Sequence, residues 1–262
     1  MINYIVKKII KTLNPRYGLR GSDIILASYP KSGNTWVRFI WANIISIEER
    51  GKESVDFHAL DDRLGSEFDT NSYGTVEFEC LPRLVKTHEE YTRRSFGQQR
   101  CVYLYRHPGD VMVSYHAYLS ARRDSSFRET SLSEFIRDPD VGLQTWGEHF
   151  RSWVDQADVL ITYEGLKADA FTEIQQVLEG LEIDPIKPEV LRSAIERSSF
   201  ERVRQVEKDS GRHDEHRFDP EYSFARSGEV GQWRKNMNRD DVEYVEKFIQ
   251  SRGLQSLIRE KR

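Results

Sequence analysis

Four short segments collect residue types that bind and move charged groups. The first is SYPKSGNTW, residues 28–36, set between an apolar run and a helical pattern. At such a junction backbone N–H groups point at an anion and the helix dipole favours negative charge. Gly33 lets the backbone come close to a ligand, Ser32, Asn34 and Thr35 add donors, and Lys31 adds a full positive charge. This is a phosphate cradle. It is not a Walker A loop, which places Lys directly after its second Gly; here Lys31 precedes Ser32 and Gly33.

The second segment is RLVKTHEEY, 83–91. Lys86 and His88 are two residues apart, so they share a face of an extended chain. His88 falls at a strand end, where open α/β sheets bind ligands. A lysine beside a histidine favours the neutral imidazole that a general base needs. The third segment, YLYRHPGDVMVSYHAYL, 103–119, runs a strand into Arg106 and opens a helix at Pro108, with Ser114 about two turns along. Arginine binds phosphate in a bidentate fork, so this is a second anion site at a second strand–helix junction. The fourth, FARSGEVGQW, 224–233, sets Arg226 and Trp233 around Gly228 and Gly231. Each segment alone has a plain structural reading: a turn with a solvated lysine, a structural histidine, an arginine capping a strand, a loop around a buried tryptophan. Together they describe a site for a nucleotide with two separated anionic groups and a base beside it.

The elements that must hold these residues alternate. Strand patterns at 23–30, 83–88, 100–106 and 157–164 are separated by helical patterns at 34–50, from Pro108 onward, at 131–156 and through FTEIQQVLEGL (171–181). Further helical patterns occupy 188–206 and 239–252, and 52–80 reads as irregular. The alternation predicts an α/β fold: a single domain with a central parallel sheet flanked by helices. The domain is expected over 23–255, after an amphipathic helix and linker at 1–22 and before a basic tail at 256–262. Residues 207–225 read as a polar loop, of the length that often covers a site.

Composition narrows the class. The chain has 262 residues, 39 Lys+Arg against 43 Asp+Glu, and 38% hydrophobic residues. With a pI near 6.0, no nucleic acid partner is expected. Two cysteines, Cys80 and Cys101, make no disulfide scaffold, and no Cys/His spacing suggests zinc. His213 and His216 in a charged loop, and the pairs Glu48/Glu49 and Asp61/Asp62, read as solvated. The first 20 residues carry five basic and no acidic side chains, without the apolar core of a signal peptide. Packing of that helix on the body is the main expectation and weak contact with a membrane surface the second. The chain is expected to be cytoplasmic.

In order and spacing the four segments resemble the cytosolic sulfotransferase family, which transfers a sulfuryl group from 3′-phosphoadenosine 5′-phosphosulfate (PAPS). The resemblance runs from about residue 23 to 240. Tyr29 to Trp36 match the family's YPKSGTTW-like loop for the 5′-phosphosulfate, with Asn34 at one Thr position. Lys86, Thr87 and His88 match its KTH segment. Arg106, Pro108, Asp110, Val111 and Ser114 match its 3′-phosphate segment. Arg226, Gly228, Gly231 and Trp233 match its late R-x-G-x-x-G-x-W pattern. Tyr163 and Glu164 are similar to a Tyr-Glu pair whose Tyr lies near adenine, and Ser198, Ser199 and Phe200 to a segment on the adenosine side. Ser227 stands where many members carry Lys, EEY follows the KTH triplet where LP is frequent, and no dimer motif is recognisable in residues 233–248, which leaves oligomeric state open.

The resemblance implies a P-loop-like sulfotransferase fold and in-line transfer to a hydroxyl or amine, with PAPS as donor, the bisphosphate PAP as product and no metal. Its catalytic residues would be His88 as base, Lys31 at the bridging oxygen and Lys86 at the transferring group. Lys31, Ser32, Gly33, Asn34, Thr35, Trp36, Arg106, Ser114, Tyr163, Ser198, Phe200, Arg226, Ser227 and Gly228 would hold the nucleotide. The acceptor is expected to be a small molecule, glycan or glycolipid, because the variable loops mix aromatics with Arg122, Arg123, Arg128, Arg212 and Arg217. A P-loop kinase-like phosphotransferase and a non-catalytic nucleotide-binding protein are the competing readings.

Overall fold

The computed structural model describes residues 18–49, 51, 55–64, 78–212 and 214–255. The helix expected before residue 18, the tail at 256–262 and His213 lie outside the described residues. Four strands form one sheet: β1 (Ile24–Ala27), β2 (Leu84–Thr87), β3 (Arg100–Tyr105) and β4 (Val159–Thr162). All pairings are parallel, in the order β2-β1-β3-β4. The helices are α1 (Asn34–Glu49), α2 (Phe57–Leu64), α3 (Arg93–Phe96), α4 (Pro108–Ala121), α5 (Leu132–Phe135), α6 (Leu143–Trp153), α7 (Tyr163–Gly180), α8 (Pro188–Arg197), α9 (Phe200–Ser210), α10 (Trp233–Asn236) and α11 (Arg239–Ser251), with a 3-10 turn at Glu215–Arg217.

The apolar run of β1 is fully buried because both faces of the sheet are covered. Ile24 and Leu26 join one core with Ile40, Trp41 and Ile44 of α1, Ile174 and Val177 of α7, and Leu191 of α8. Ile25 and Ala27 join the other with Val111 and Met112 of α4, Trp146, Phe150 and Trp153 of α6, and Trp233 of α10. The period of two along the strand thus divides the core into two layers. Beyond β1 the chain goes to β2 on one side and β3 on the other. That change of direction opens a crevice at the carboxyl ends of the strands, where such sheets bind ligands.

Several boundaries differ from the sequence expectation. The segment 131–156 is two helices, because Ser131 and Glu134 cap α5 reciprocally and Asp138 then turns the chain by accepting from the amides of Asp140 and Val141. The segment 188–206 is also broken: Ser199 Oγ accepts from Arg202 N and starts a new helix. That helix continues to Ser210 and stops at Gly211, so the first four residues of the expected loop at 207–225 are helical. Tyr163 and Glu164 open α7 rather than close a strand, with Thr162 as its cap. Phe57–Leu64 forms α2 inside the stretch read as irregular. Among the described residues no helix is long and apolar enough to cross a membrane.

Candidate active site

Between β1 and α1 the backbone is forced into an unusual path. Lys31 takes φ 67° and Gly33 φ 106°, left-handed conformations that cost a residue with a Cβ. A Cβ on Gly33 would lie 2.6 Å from Cδ2 of Tyr163, so that ring occupies the space a side chain would need. Asn34 braces the loop from behind: its Nδ2 donates to Leu26 O at 3.2 Å and to Ser28 Oγ at 3.1 Å. Ser32 is buried under the loop, and its Oγ has no hydrogen-bond partner among the described residues.

The end of β2 lies beside this loop, since Leu26 pairs with Lys86 and Ala27 with Thr87. His88 Nδ1 is 2.6 Å from Ser28 O. A carbonyl only accepts, so Nδ1 carries the hydrogen and, in the neutral ring, Nε2 carries the lone pair. Behind this strand end, His149 on α6 meets the Tyr103 hydroxyl at 3.1 Å. Burial, and then the neighbouring His88, push its pKa down to about 3.

The second junction is built from two carboxylates, Asp110 fully buried and Glu164 partly so. Asp110, in the first turn of α4, accepts from Gly231 N at 2.7 Å and Trp233 N at 3.0 Å, which fastens the Gly228–Trp233 turn onto α4. Glu164 accepts from His107 N at 2.9 Å, tying the end of β4 to the end of β3. Its pKa is raised by burial. His107 caps α4 and stacks on Trp233 at 4.8 Å, and burial pushes it down to about 3. Arg106 is buried; its Nη2 donates to Glu229 O at 2.6 Å and its guanidinium covers the Tyr163 ring at 4.1 Å. Tyr163 in turn donates to Gly228 O at 2.9 Å and meets Trp36 edge-on at 5.8 Å. Gly228 takes φ 64°, and a Cβ there would come within 2.8 Å of the Phe200 ring.

These parts enclose one cavity of about 590 Å³. Lys31, Gly33, Asn34, Thr35, Trp36, Lys86, His88, Arg106, Ser114, Tyr163, Ser198, Phe200, Arg226, Ser227 and Gly228 all line it, and Ser32 lies behind the wall. Two hydroxyls are already engaged. Ser198 Oγ donates to Ala194 O and accepts from Asn43 Nδ2, and Ser227 Oγ donates to Gln232 Oε1. Lys31 Nζ sits 3.9 Å from the Phe224 ring centre and 4.8 Å from that of Tyr118. Burial, then Arg212, then Arg106 hold its pKa down at about 7.

Sequence reasoning passed over Arg38, Lys167 and Gln232, which also line the cavity. Arg38 is four residues after Asn34 on α1 and Lys167 four after Tyr163 on α7. Helical spacing from a residue already singled out was the available signal. Ser114, Tyr115, Tyr118 and Leu119 of α4, with Arg122 just beyond its end, line the cavity together with Phe57 and Leu60 of α2 and Phe224.

The residues present fit a nucleotide with two anionic groups. Cations stand at both strand–helix junctions, aromatic rings line the wall between them, and two buried donors, Ser32 Oγ and Arg106 Nε, have no partner among the described residues. Among those residues there is no group of three or more His, Cys, Asp or Glu side chains placed to hold a metal ion.

Comparison with known proteins gives the class. The sulfotransferase domain family matches residues 21–259. Sulfotransferase 1E1 of Rattus norvegicus is 29% identical over 237 residues, covering 84% of this chain and 79% of that protein. The amine sulfotransferase of Oryctolagus cuniculus is 24% identical over 257 residues, covering 93% and 84%. Among solved structures, retinol dehydratase in a complex with retinol and PAP superposes with a TM-score of 0.70 at 18% identity, covering 93% of this chain and 85% of that one. Mouse sulfotransferase SULT7A1 complexed with PAP gives 0.63 at 20% identity, covering 89% and 85%. The structural likenesses show a shared fold, and the family match over most of the chain adds the chemistry: this protein belongs to the sulfotransferase family and is a PAPS-dependent sulfotransferase.

Proposed function

We propose that His88 is the general base of the transfer and that the acceptor is a hydroxyl or amine held against the Tyr115–Tyr118 face of α4. The observation that carries this reading is the 2.6 Å contact between His88 Nδ1 and Ser28 O. It fixes the tautomer with its lone pair on Nε2, the form that can take a proton from an attacking hydroxyl. When bound, PAPS supplies the sulfuryl group and leaves as the bisphosphate. Lys31 and Lys86 line the same cavity as His88 and would, as ammonium groups beside the bound donor, stabilise the charge that develops during transfer. Arg106, Ser114 and Arg226 hold the far phosphate, Gly33 to Trp36 the near one, and Trp36, Tyr163 and Phe200 the base. Lys167 adds a further cation to the cavity lining, which at Ser227 lacks the Lys that many members carry.

The acceptor side supports a molecule with a flat face and polar or anionic substituents, small molecules and glycan-type acceptors included. Rings of Phe57, Tyr115, Tyr118 and Phe224 offer stacking surfaces, and Arg122, Arg212 and Asp214 offer hydrogen bonds at the same wall. The test is turnover of His88→Ala with PAPS and a panel of phenols, amines and sugars, alongside calorimetric binding of PAP. Turnover is expected to fall by about 10²–10⁴-fold while PAP affinity stays within about twofold. Unchanged turnover removes His88 as the base.

A further inference from the structure

We propose that Glu207 is a positioning residue for the donor site, folding residues 223–225 so that Phe224 lies against Lys31 and Arg226 reaches the cavity. The proposal rests on reading the cavity as the place where PAPS binds. Glu207 sits in the last turn of α9. Its Oε1 accepts from Phe224 N at 2.7 Å, and its Oε2 from Ala225 N at 3.1 Å and Ser223 Oγ at 2.9 Å. Arg212 Nη1 lies 3.7 Å away. A carboxylate has about four acceptor sites, so three consecutive residues and one guanidinium nearly fill it. The chain can meet that demand only by curling around the carboxylate.

The consequence reaches the reacting centre through one ring. Phe224 lies 3.9 Å from Lys31 Nζ, carries the Arg212 guanidinium at 4.7 Å and meets Phe57 edge-on at 6.1 Å. Its backbone position is set by Glu207. The other end of the same segment is fastened by Asp110, through the amides of Gly231 and Trp233. Residues 223–233 are therefore a strap hung from two carboxylates on different helices. Arg226, Ser227 and Gly228, all on the cavity wall, lie between the anchors. Asp110 belongs to the motif around Arg106, whereas nothing in the motifs marks Glu207.

The test is a double-mutant cycle on PAP affinity, measured by calorimetry on the full chain, with the ligand-free melting temperature recorded for each protein. Glu207→Gln keeps the size of the side chain but replaces one acceptor with a donor that faces N–H groups. It is expected to weaken PAP binding at least tenfold and to raise KM for PAPS in parallel. Arg226→Ala should weaken PAP as well, and the double variant should lose much less than the product of the two effects, because a displaced strap already withdraws Arg226. A Glu207→Gln protein that melts lower yet binds PAP as the parent does, or strictly multiplicative losses, overturns the proposal. Should Glu207→Gln not fold, Ser223→Ala removes one of the three donors and is expected to weaken PAP about two- to fivefold; no change there also overturns it. If the parent protein itself fails to bind PAP, the donor-site reading fails instead.

Discussion

On the inner side of the cavity, buried and half-buried side chains grip backbone, whereas charge pairs near the surface hold the turn that carries Arg122. On the inner side Asn34 holds Leu26 O, His88 holds Ser28 O, Asp110 holds two amides and Glu164 holds His107 N. On the outer side, the turn after α4 is joined to the 3-10 turn by Arg122 and Arg217 on Asp124 and by Arg128 on Asp219. The carboxylates there are 40–49% exposed. Two backbone bonds, Arg123 N to Arg217 O and Asp219 N to Ala121 O, add to this seam. Buried groups with fixed partners keep one geometry, whereas exposed pairs are weak and screened by salt. The inner half is therefore expected to keep its geometry on ligand binding and the outer half to yield.

The comparison breaks most sharply at Arg106. Its guanidinium is buried and its Nε has no hydrogen-bond partner among the described residues. Arg106→Ala is expected to weaken PAP binding on the order of 10- to 100-fold, the range of charge-assisted hydrogen bonds, and to leave AMP, which lacks the 3′-phosphate, nearly unaffected. Titration calorimetry with both nucleotides checks this. Equal losses would mean that Arg106 serves the fold, through Glu229 O and the Tyr163 ring, and that the inner wall is not selective for two phosphates.

A smaller effect sharpens the electrostatics of the inner wall. Lys31 has a pKa of about 7 in the ligand-free protein, lowered by burial and by Arg212 and Arg106. An anion placed beside it restores the ordinary ammonium, so above pH 7 binding takes up a proton. Between pH 7.5 and pH 8.5 PAP affinity should fall by somewhat under tenfold, because one proton linked to binding gives one decade per pH unit. Lys31→Met is expected to bind more weakly and to lose this slope. A parent protein with pH-independent affinity over that range would show that Lys31 is already charged before the donor arrives.

The same contrast explains what was legible in the sequence. The junctions at 28–36 and 103–119 could be read because backbone geometry restricts the residue: only glycine tolerates both the φ and the Tyr163 contact at Gly33. The layers of the sheet followed from short apolar runs bounded by turns. Glu207 was misplaced in a loop because the helical pattern of 188–206 is interrupted at Ser198 and Ser199 and restarts, which moves the helix end to Ser210. The pairing of Arg217 with Asp124 and of Arg128 with Asp219 left no trace, since partners about 90 residues apart have no local pattern. Arg38 and Lys167 sit between these extremes, one helical turn from residues that the motifs already marked.

The seam itself gives the smallest effect. Asp124 is held below the usual carboxylate range by hydrogen bonds from Arg122 and then Arg217, yet about half of its side chain is exposed. Asp124→Ala should move the melting temperature by less than about 2 °C and leave PAP affinity unchanged. It frees Arg122, which lines the cavity, from one partner; with the acceptor placed as proposed, its KM should change by about twofold at low salt and less at high salt. A change in PAP affinity instead would mean that the outer seam and the donor wall move together, and the division between a preformed inner half and a yielding outer half would have to be given up.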